Sequence, residues 1–247
     1  MGKDIHPITV RRTLHEANYS SRVARRKPLI LKTNQTKRLA YAKEYISKPR
    51  DFWDSVLFSN EIKFNIFQSD GRQTVWRKPN TELQKKNLAA TVKHGGRGVI
   101  VWGCMSAAGV GELEFIDGIM DKKYYMEILN RNVKKSAEKL KLPESFTFQH
   151  DNDPKHTAYD VRMWLAHHIK HTLPHPPQSP DLNPTEHLWE ELDRRVKKIA
   201  VSTKAELKVA LMEEWQNIGA ETTQKLVSSM PNRLKAVIKQ KGLTTKY

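Results

Sequence analysis

The run Phe146-Thr147-Phe148-Gln149-His150-Asp151-Asn152-Asp153-Pro154-Lys155-His156-Thr157 decides how this chain folds. Residues 146–151 read as a strand, and Pro154 stops it, so Asp151 is delivered at the strand's C-terminal end. Residues 157–169 then place Val161, Trp164, Leu165 and His168 at helical spacing, and 170–175 return to a short strand. Downstream, 176–184 form a Pro-rich loop. A helix follows over 185–199 with Leu188, Trp189, Leu192 and Val196 facing a core. Thr203-Lys204-Ala205-Glu206 matches a capping box and opens a further helix. From there to the C-terminus the chain is helical and basic.

Upstream of the run the texture is that of a sheet. Val56-Leu57-Phe58 is a short apolar strand that ends in polar Ser59-Asn60-Glu61. Ile62, Phe64 and Ile66 alternate with polar residues, which is a strand with one solvated face. Thr74-Val75-Trp76, Gly98-Val99-Ile100-Val101-Trp102-Gly103-Cys104 and Leu113-Glu114-Phe115-Ile116 are further strands, and 121–141 is a long amphipathic helix. Nearer the N-terminus, 7–17 is a short helix begun at Pro7. Residues 18–32 form a basic linker. A helix over 33–47 follows, capped by Thr33 or Asn34, with Leu39, Ala42, Tyr45 and Ile46 as its buried stripe. Strands, then a helix, then strand–helix–strand–helix specify an α/β fold, a mixed sheet flanked by helices. In such sheets the chemistry lies beyond the strand ends, which directs attention to Asn60, Asp151 and the helix after Pro184.

The 247 residues hold 43 Lys+Arg against 27 Asp+Glu, a formal net charge of +16. A charge of that size is a statement about partners, and nucleic acid is the polyanion it fits first. Arg22, Arg25, Arg26, Lys27, Lys32, Lys37, Arg38 and Lys43 follow one another with no acid between them. No stretch is long and apolar enough for a membrane helix, so no membrane role is expected, and the charged start has no secretory signal pattern. Cys104 is the single cysteine, which excludes a disulfide framework and a cysteine zinc cluster.

The second chemical segment is Ser179-Pro180-Asp181-Leu182-Asn183-Pro184-Thr185-Glu186-His187-Leu188-Trp189, and 34 residues separate Asp151 from Glu186. Hard divalent cations such as Mg²⁺ take carboxylate oxygens, and two of them can activate the attacking oxygen and stabilise the leaving oxygen of a phosphodiester. That chemistry needs carboxylates from separate elements at one sheet edge. Taken alone, Glu186 is equally a favourable charge at a helix N-terminus. Paired with the Asp151 segment at this spacing, it points to a metal site.

The two segments resemble those of the Tc/mariner superfamily of DDE transposases, and within it fish-type elements such as Sleeping Beauty. The likeness runs from about Ile8 to Tyr247, through Arg22-Val23-Ala24-Arg25-Arg26-Lys27-Pro28-Leu29, Thr91-Val92-Lys93-His94-Gly95-Gly96, Val101-Trp102-Gly103-Cys104 and Ile116-Asp117-Gly118-Ile119-Met120. It implies a ribonuclease H-like core, cut-and-paste DNA transposition with strand cleavage and strand transfer, Mg²⁺ as cofactor with Mn²⁺ as substitute, double-stranded DNA as partner and a nuclear location. A homodimer is compatible with it. The family's second Asp falls on Asp151 and its Glu on Glu186.

Two departures stand out. The family's first catalytic Asp lies in Ser-Asp-Glu, and this chain has Ser59-Asn60-Glu61. Asn60 keeps the shape and one oxygen but loses the charge. Glu61 does not replace it, because the next residue on a strand faces the other way. Family members also carry two helix-turn-helix units before the core, and this chain begins inside the second. Residues 1–50 are therefore expected to be the remnant of that unit plus a basic linker, and 51–247 the catalytic domain with its C-terminal helices. As catalytic and metal-holding residues the sequence nominates Asn60, Asp151 and Glu186. As DNA contacts it nominates Arg22, Arg25, Arg26, Lys27, Lys93, His94, Lys155 and His156. The competing function is a catalytically inactive, transposase-derived DNA-binding protein. An unrelated ribonuclease H-like nuclease is a third reading, but it leaves the Pro-rich run before Glu186 without an explanation.

Overall fold

The computed structural model describes residues 6–19, 29–66 and 98–247. Arg22, Arg25, Arg26, Lys27, Lys93, His94 and the expected strand at Thr74-Val75-Trp76 lie outside the described residues. Among the described residues the sheet has five strands in the order β3-β2-β1-β4-β5. Strand β1 (Val56–Asn65), β2 (Gly98–Ser106) and β3 (Gly109–Ile116) form an antiparallel meander. The short β4 (Thr147–Gln149) and β5 (His171–Leu173) run parallel to β1 on its other side. Strand β1 is continuous where the sequence suggests two strands. Polar Ser59, Asn60 and Glu61 do not end it, because the ladder continues through them opposite Cys104, Gly103 and Trp102.

Side chains alternate between the faces of a strand, and the two faces of this sheet bury separate cores. Leu57, Trp102, Cys104 and Phe148 meet Tyr125, Ile128, Leu129 and Val133 of α4 (Lys122–Lys139) and Val161 and Leu165 of α5 (Tyr159–His168). Val56, Phe58, Phe64, Val101 and Met105 point the other way. They meet α6 (Thr185–Val196), α7 (Lys204–Gln216), α8 (Ala220–Ser228) and α9 (Met230–Lys239). Asn60 shares its parity with Phe58 and so belongs to the α6 face, whereas Glu61 belongs to the α4 face. Gly103, opposite Asn60, lets α6 come down onto the sheet: a Cβ there would stand 2.6 Å from the Trp189 ring. Trp189 in turn stacks on Trp215 of α7, with ring centroids 5.2 Å apart.

Helix α1 (Pro7–Glu16) starts at the expected proline and buries none of its residues, so Ile8, Val10 and Leu14 stay exposed. Helix α2 (Lys32–Tyr45) differs from expectation at its cap and in its stripe. Leu31 is the N-cap and makes no side-chain bond. Asn34 is instead committed to Gln178, its Nδ2 donating to Oε1 at 2.9 Å. The buried face is Arg38, Tyr41 and Ala42, with Leu39 only half-buried. Arg38 is thus no surface charge, as its place in the basic run suggests, but an interior one. Thr203 caps α7 as expected, its Oγ1 accepting from the Glu206 amide at 3.1 Å, while Glu206 Oε2 reaches one residue past the cap and accepts from the Ser202 amide at 2.8 Å. Trp53, Trp102, Trp189 and Trp215 are core residues, as their apolar settings imply.

Candidate active site

Strand register builds the site. Phe58 of β1 lies beside Gln149 of β4, where the parallel pairing ends, and two residues further along each segment Asn60 and Asp151 line the same cleft. Ser59 Oγ donates to the Gln149 carbonyl at 3.0 Å and locks the end of β4 to β1. Asn183 then fixes the start of α6. Its Nδ2 donates to the Ser59 carbonyl at 3.2 Å, while its Oδ1 accepts from the Thr185 amide and hydroxyl at 3.1 and 2.7 Å. Glu186, in the first turn of α6, therefore arrives over β1, where Asn60 Nδ2 donates to Glu186 Oε1 at 2.8 Å. Asn60, Asp151 and Glu186 line one cleft of about 260 Å³, together with Asn183 and the Pro-rich segment. The three nominated residues are brought together from three elements.

The orientation of the Asn60 amide is determined by its partners. Its Oδ1 accepts from the Glu61 backbone amide at 2.8 Å, so only Nδ2 is free to face the carboxylate. Turning the amide over would set oxygen against oxygen and N–H against N–H.

Asp151 is held from the opposite side. Its Oδ1 accepts from the Asp153 amide at 3.0 Å and pairs with His156 Nδ1 at 2.5 Å. Burial pushes the Asp151 carboxyl up, but these bonds outweigh it and hold it at about 2. Burial likewise opposes a charged His156, yet Asp151 and Glu61 raise it to about 9. The other ring nitrogen, Nε2, lies 3.4 Å from Glu61 Oε1, and the ring stacks on Tyr125 with centroids 3.9 Å apart. At 1% exposure, His156 presents nothing to solvent. Its nomination as a phosphate contact is corrected by burial: it serves carboxylates inside the protein. Lys155 stays at the surface side, its Nζ 2.7 Å from Asp153 Oδ2. For Glu186, burial and the Asp151 charge raise the pKa, and the Asn60 bond only partly offsets them.

The donor set decides what cation the cleft suits. Asp151 Oδ2 and Glu186 Oε2 accept no hydrogen bond among the described residues, so each carboxylate keeps an oxygen for a hard cation. Asn60 adds no anionic oxygen: its amide is neutral, its Oδ1 already accepts from the Glu61 amide, and its Nδ2 is the group turned to Glu186. These residues fit one divalent cation between two carboxylates, and do not supply a third anionic donor for a pair.

Sequence reading missed Asn183, His156 as the partner of Asp151, and the buried Arg38. The Asn183 signal was present, since an Asn two residues before a helix's first turn is a capping pattern.

Residues 55–208 match the family described as DDE superfamily endonuclease, and residues 1–47 match a helix-turn-helix family described as Transposase. The chain is 42% identical to the transposable element Tc1 transposase of Caenorhabditis elegans, over 97% of this chain and 87% of that one. Among solved structures, the Mos1 transposase paired-end complex with left transposon end superposes with a TM-score of 0.83 at 20% identity, covering 97% of this chain and 71% of that one. The mariner Mos1 paired end complex with Mg gives 0.84 at 20% identity, covering 97% and 72%. The ribonuclease H-like fold follows from the structural likeness, and on the family match and the Tc1 relative the chain belongs to the Tc1/mariner family of DDE transposases.

Proposed function

We propose that this chain acts on double-stranded DNA as a transposase of the cut-and-paste type, with Asp151 and Glu186 as the residues that hold a divalent cation, Mg²⁺ or in its place Mn²⁺. The observation that carries the reading is the meeting of Asp151, Glu186 and the Asn60 position in one cleft, from the segment after β4, the first turn of α6 and the middle of β1. A single divalent cation bound there would polarise a phosphodiester oxygen or activate the attacking oxygen, and would not supply the two-ion clamp on the attacking and leaving oxygens together.

The chain's own residues do the rest. His156 and the Asp153 amide hold Asp151 through Oδ1 and favour its ionised form, which leaves Oδ2 without a hydrogen bond among the described residues. Asn183 fixes the start of α6, which sets Glu186 opposite. Asn60 stands where the family pattern has its first Asp, and its amide donates to Glu186 instead of adding an anionic oxygen. We therefore read the chain as impaired in strand cleavage, and DNA binding without cleavage is the second reading that this hydrogen bond favours. The proposal divides the chain at residue 50, with the remnant of the second helix-turn-helix unit and a basic linker before it and the catalytic domain with its C-terminal helices after it. It also includes Arg22, Arg25, Arg26, Lys27, Lys93 and His94 as DNA contacts, action in the nucleus, and a homodimer.

The test is calorimetric titration with Mn²⁺ of the chain as it stands, of Asn60→Asp, and of Asn60→Asp with Asp151→Ala. Asn60→Asp is expected to bind at least about tenfold more tightly than the present chain, the scale on which ligand-shell changes act. Adding Asp151→Ala is expected to abolish that gain. Equal binding by all three forms would remove Asn60 and Asp151 from the site.

A further inference from the structure

Arg38 is fully buried, and its whole guanidinium is engaged. Nε donates to the Gly242 carbonyl at 2.9 Å. Nη1 reaches the Gln178 carbonyl, Ser179 Oγ and Asp181 Oδ1 at 3.0, 2.8 and 2.7 Å. Nη2 reaches Asp181 Oδ2 at 2.7 Å and the Leu243 carbonyl at 3.2 Å. The Asp181 pairing is a two-pronged fork, the geometry that fixes orientation as well as distance. Asp181 is held further by Thr245, whose Oγ1 donates to Oδ2 at 2.8 Å, and by Arg233, whose Nη1 donates to the Asp181 carbonyl at 2.9 Å.

The two ends of the fork belong to different parts of the chain. Arg38 lies on α2, inside the helix-turn-helix match of residues 1–47, and Asp181 lies inside the DDE match of 55–208. Asp181 sits in the 3-10 turn Pro180–Leu182, directly before Asn183 and the first turn of α6. The Asn183 contacts to Ser59 and Thr185 carry the position of that turn to Glu186. Stability alone does not account for a buried charge at this place, since an apolar pair of similar volume holds packed elements as well or better. What an apolar pair lacks is the fork's fixed plane and register.

We propose that Arg38 is a positioning residue of the carboxylate site: by gripping Asp181 it sets the register of the Pro-rich turn that presents Glu186, and so ties the N-terminal helical segment to the cation affinity of the core. The proposal rests on the reading of Asp151 and Glu186 as cation-holding residues.

The decisive variant is Arg38→Met with Asp181→Leu, which exchanges the ion pair for an apolar one in the full chain. Amide hydrogen exchange of Asn183, Thr185 and Glu186 is measured in that form, and Mn²⁺ affinity is measured with Asn60→Asp also present. The expected result is a cooperative melting transition close to the parent's, faster exchange at those three amides with β1 unchanged, and Mn²⁺ affinity lower by about tenfold, the usual effect of losing an outer support of a ligand. Parent-like exchange together with parent-like affinity would overturn the proposal. If the double variant does not fold, Thr245→Val, which removes one bond to Asp181, is expected to move the same amides by a smaller factor; no change there would overturn it too. If even Asn60→Asp binds no Mn²⁺, the cation reading fails, and the exchange result alone decides whether Arg38 positions the turn.

Discussion

His156 shows how much of the site a single buried side chain controls. It lies against Asp151 on one side and Glu61 on the other, with Tyr125 stacked on its face. Removing it leaves Glu61 and half of Asp151 without their partner in a poorly solvated place. His156→Ala is therefore expected to destabilise the chain by about 1–3 kcal/mol, the cost of orphaning a buried polar group, with the solvated part of Asp151 keeping the figure at the lower end. Urea unfolding at neutral pH checks this, and a midpoint equal to the parent's would show that the His156 contacts contribute nothing net. At this scale the sequence was half legible. Asp151, Glu186 and the altered Asn60 stand in motifs whose residue types announce carboxylate chemistry. The roles of His156 and Arg38 were hidden, because each depends on a partner from another element. A histidine five residues after Asp151 folds back only because the intervening turn is tightened by the Asp153 amide on Asp151 and the Lys155 amide on Asp153.

Helix α6 is the element on which the site turns. It brings Glu186 to β1 with its first turn and Trp189 to Gly103 with the next. Gly103 has no Cβ because the Trp189 ring needs its place, and both neighbours of that contact are packed: Leu113 and Trp215 also stand 3.2 Å from where a Cβ would be. Gly103→Ala is expected to lift α6 and to cost about 1–3 kcal/mol, as overpacking of a tight core does. Tryptophan fluorescence followed through chemical unfolding measures it, and an unchanged midpoint would show that α6 is free to shift. The periodicity of α6 and the strands on either side of Gly103 could be read directly from the sequence. The pattern over 56–66 suggests two strands, 56–58 and an alternating one through Ile62, Phe64 and Ile66, because polar residues often end a strand. Their continuity comes from pairing with β2, which one-dimensional patterns do not contain. The cap of α2 was misplaced for a similar reason: Asn34 had a local use as a cap, but a partner 144 residues away takes its side chain.

Two properties belong to the whole molecule. Cys104 is buried in the core between the sheet and α4, and burial pushes its thiol up to about 12. At pH 8 it is therefore expected to react with a disulfide reagent only through opening of the core, so that labelling follows global unfolding. Rapid labelling of the folded chain would place a local opening in that half of the sheet. The second property is charge. With +16 distributed over 247 residues, attraction to a polyanion does not depend on one contact, and it carries no sequence information of its own. Each phosphate neutralised by a Lys or Arg releases condensed counterions, so the logarithm of affinity falls with the logarithm of salt at about 0.9 per contact. A chain of this net charge is expected to bind through several such contacts. Affinity for duplex DNA of arbitrary sequence is then expected to drop by about 10³ or more between roughly 50 and 200 mM salt. Fluorescence anisotropy with a labelled duplex gives the slope. The Asn60→Asp form, which changes one charge inside the cleft and none on the basic surface, is expected to show nearly the same slope. A shallow slope in both would mean that the positive charge is balanced within the protein by its own acids. A slope that changes strongly with residue 60 alone would mean that the cleft, and not the basic surface, carries most of the binding.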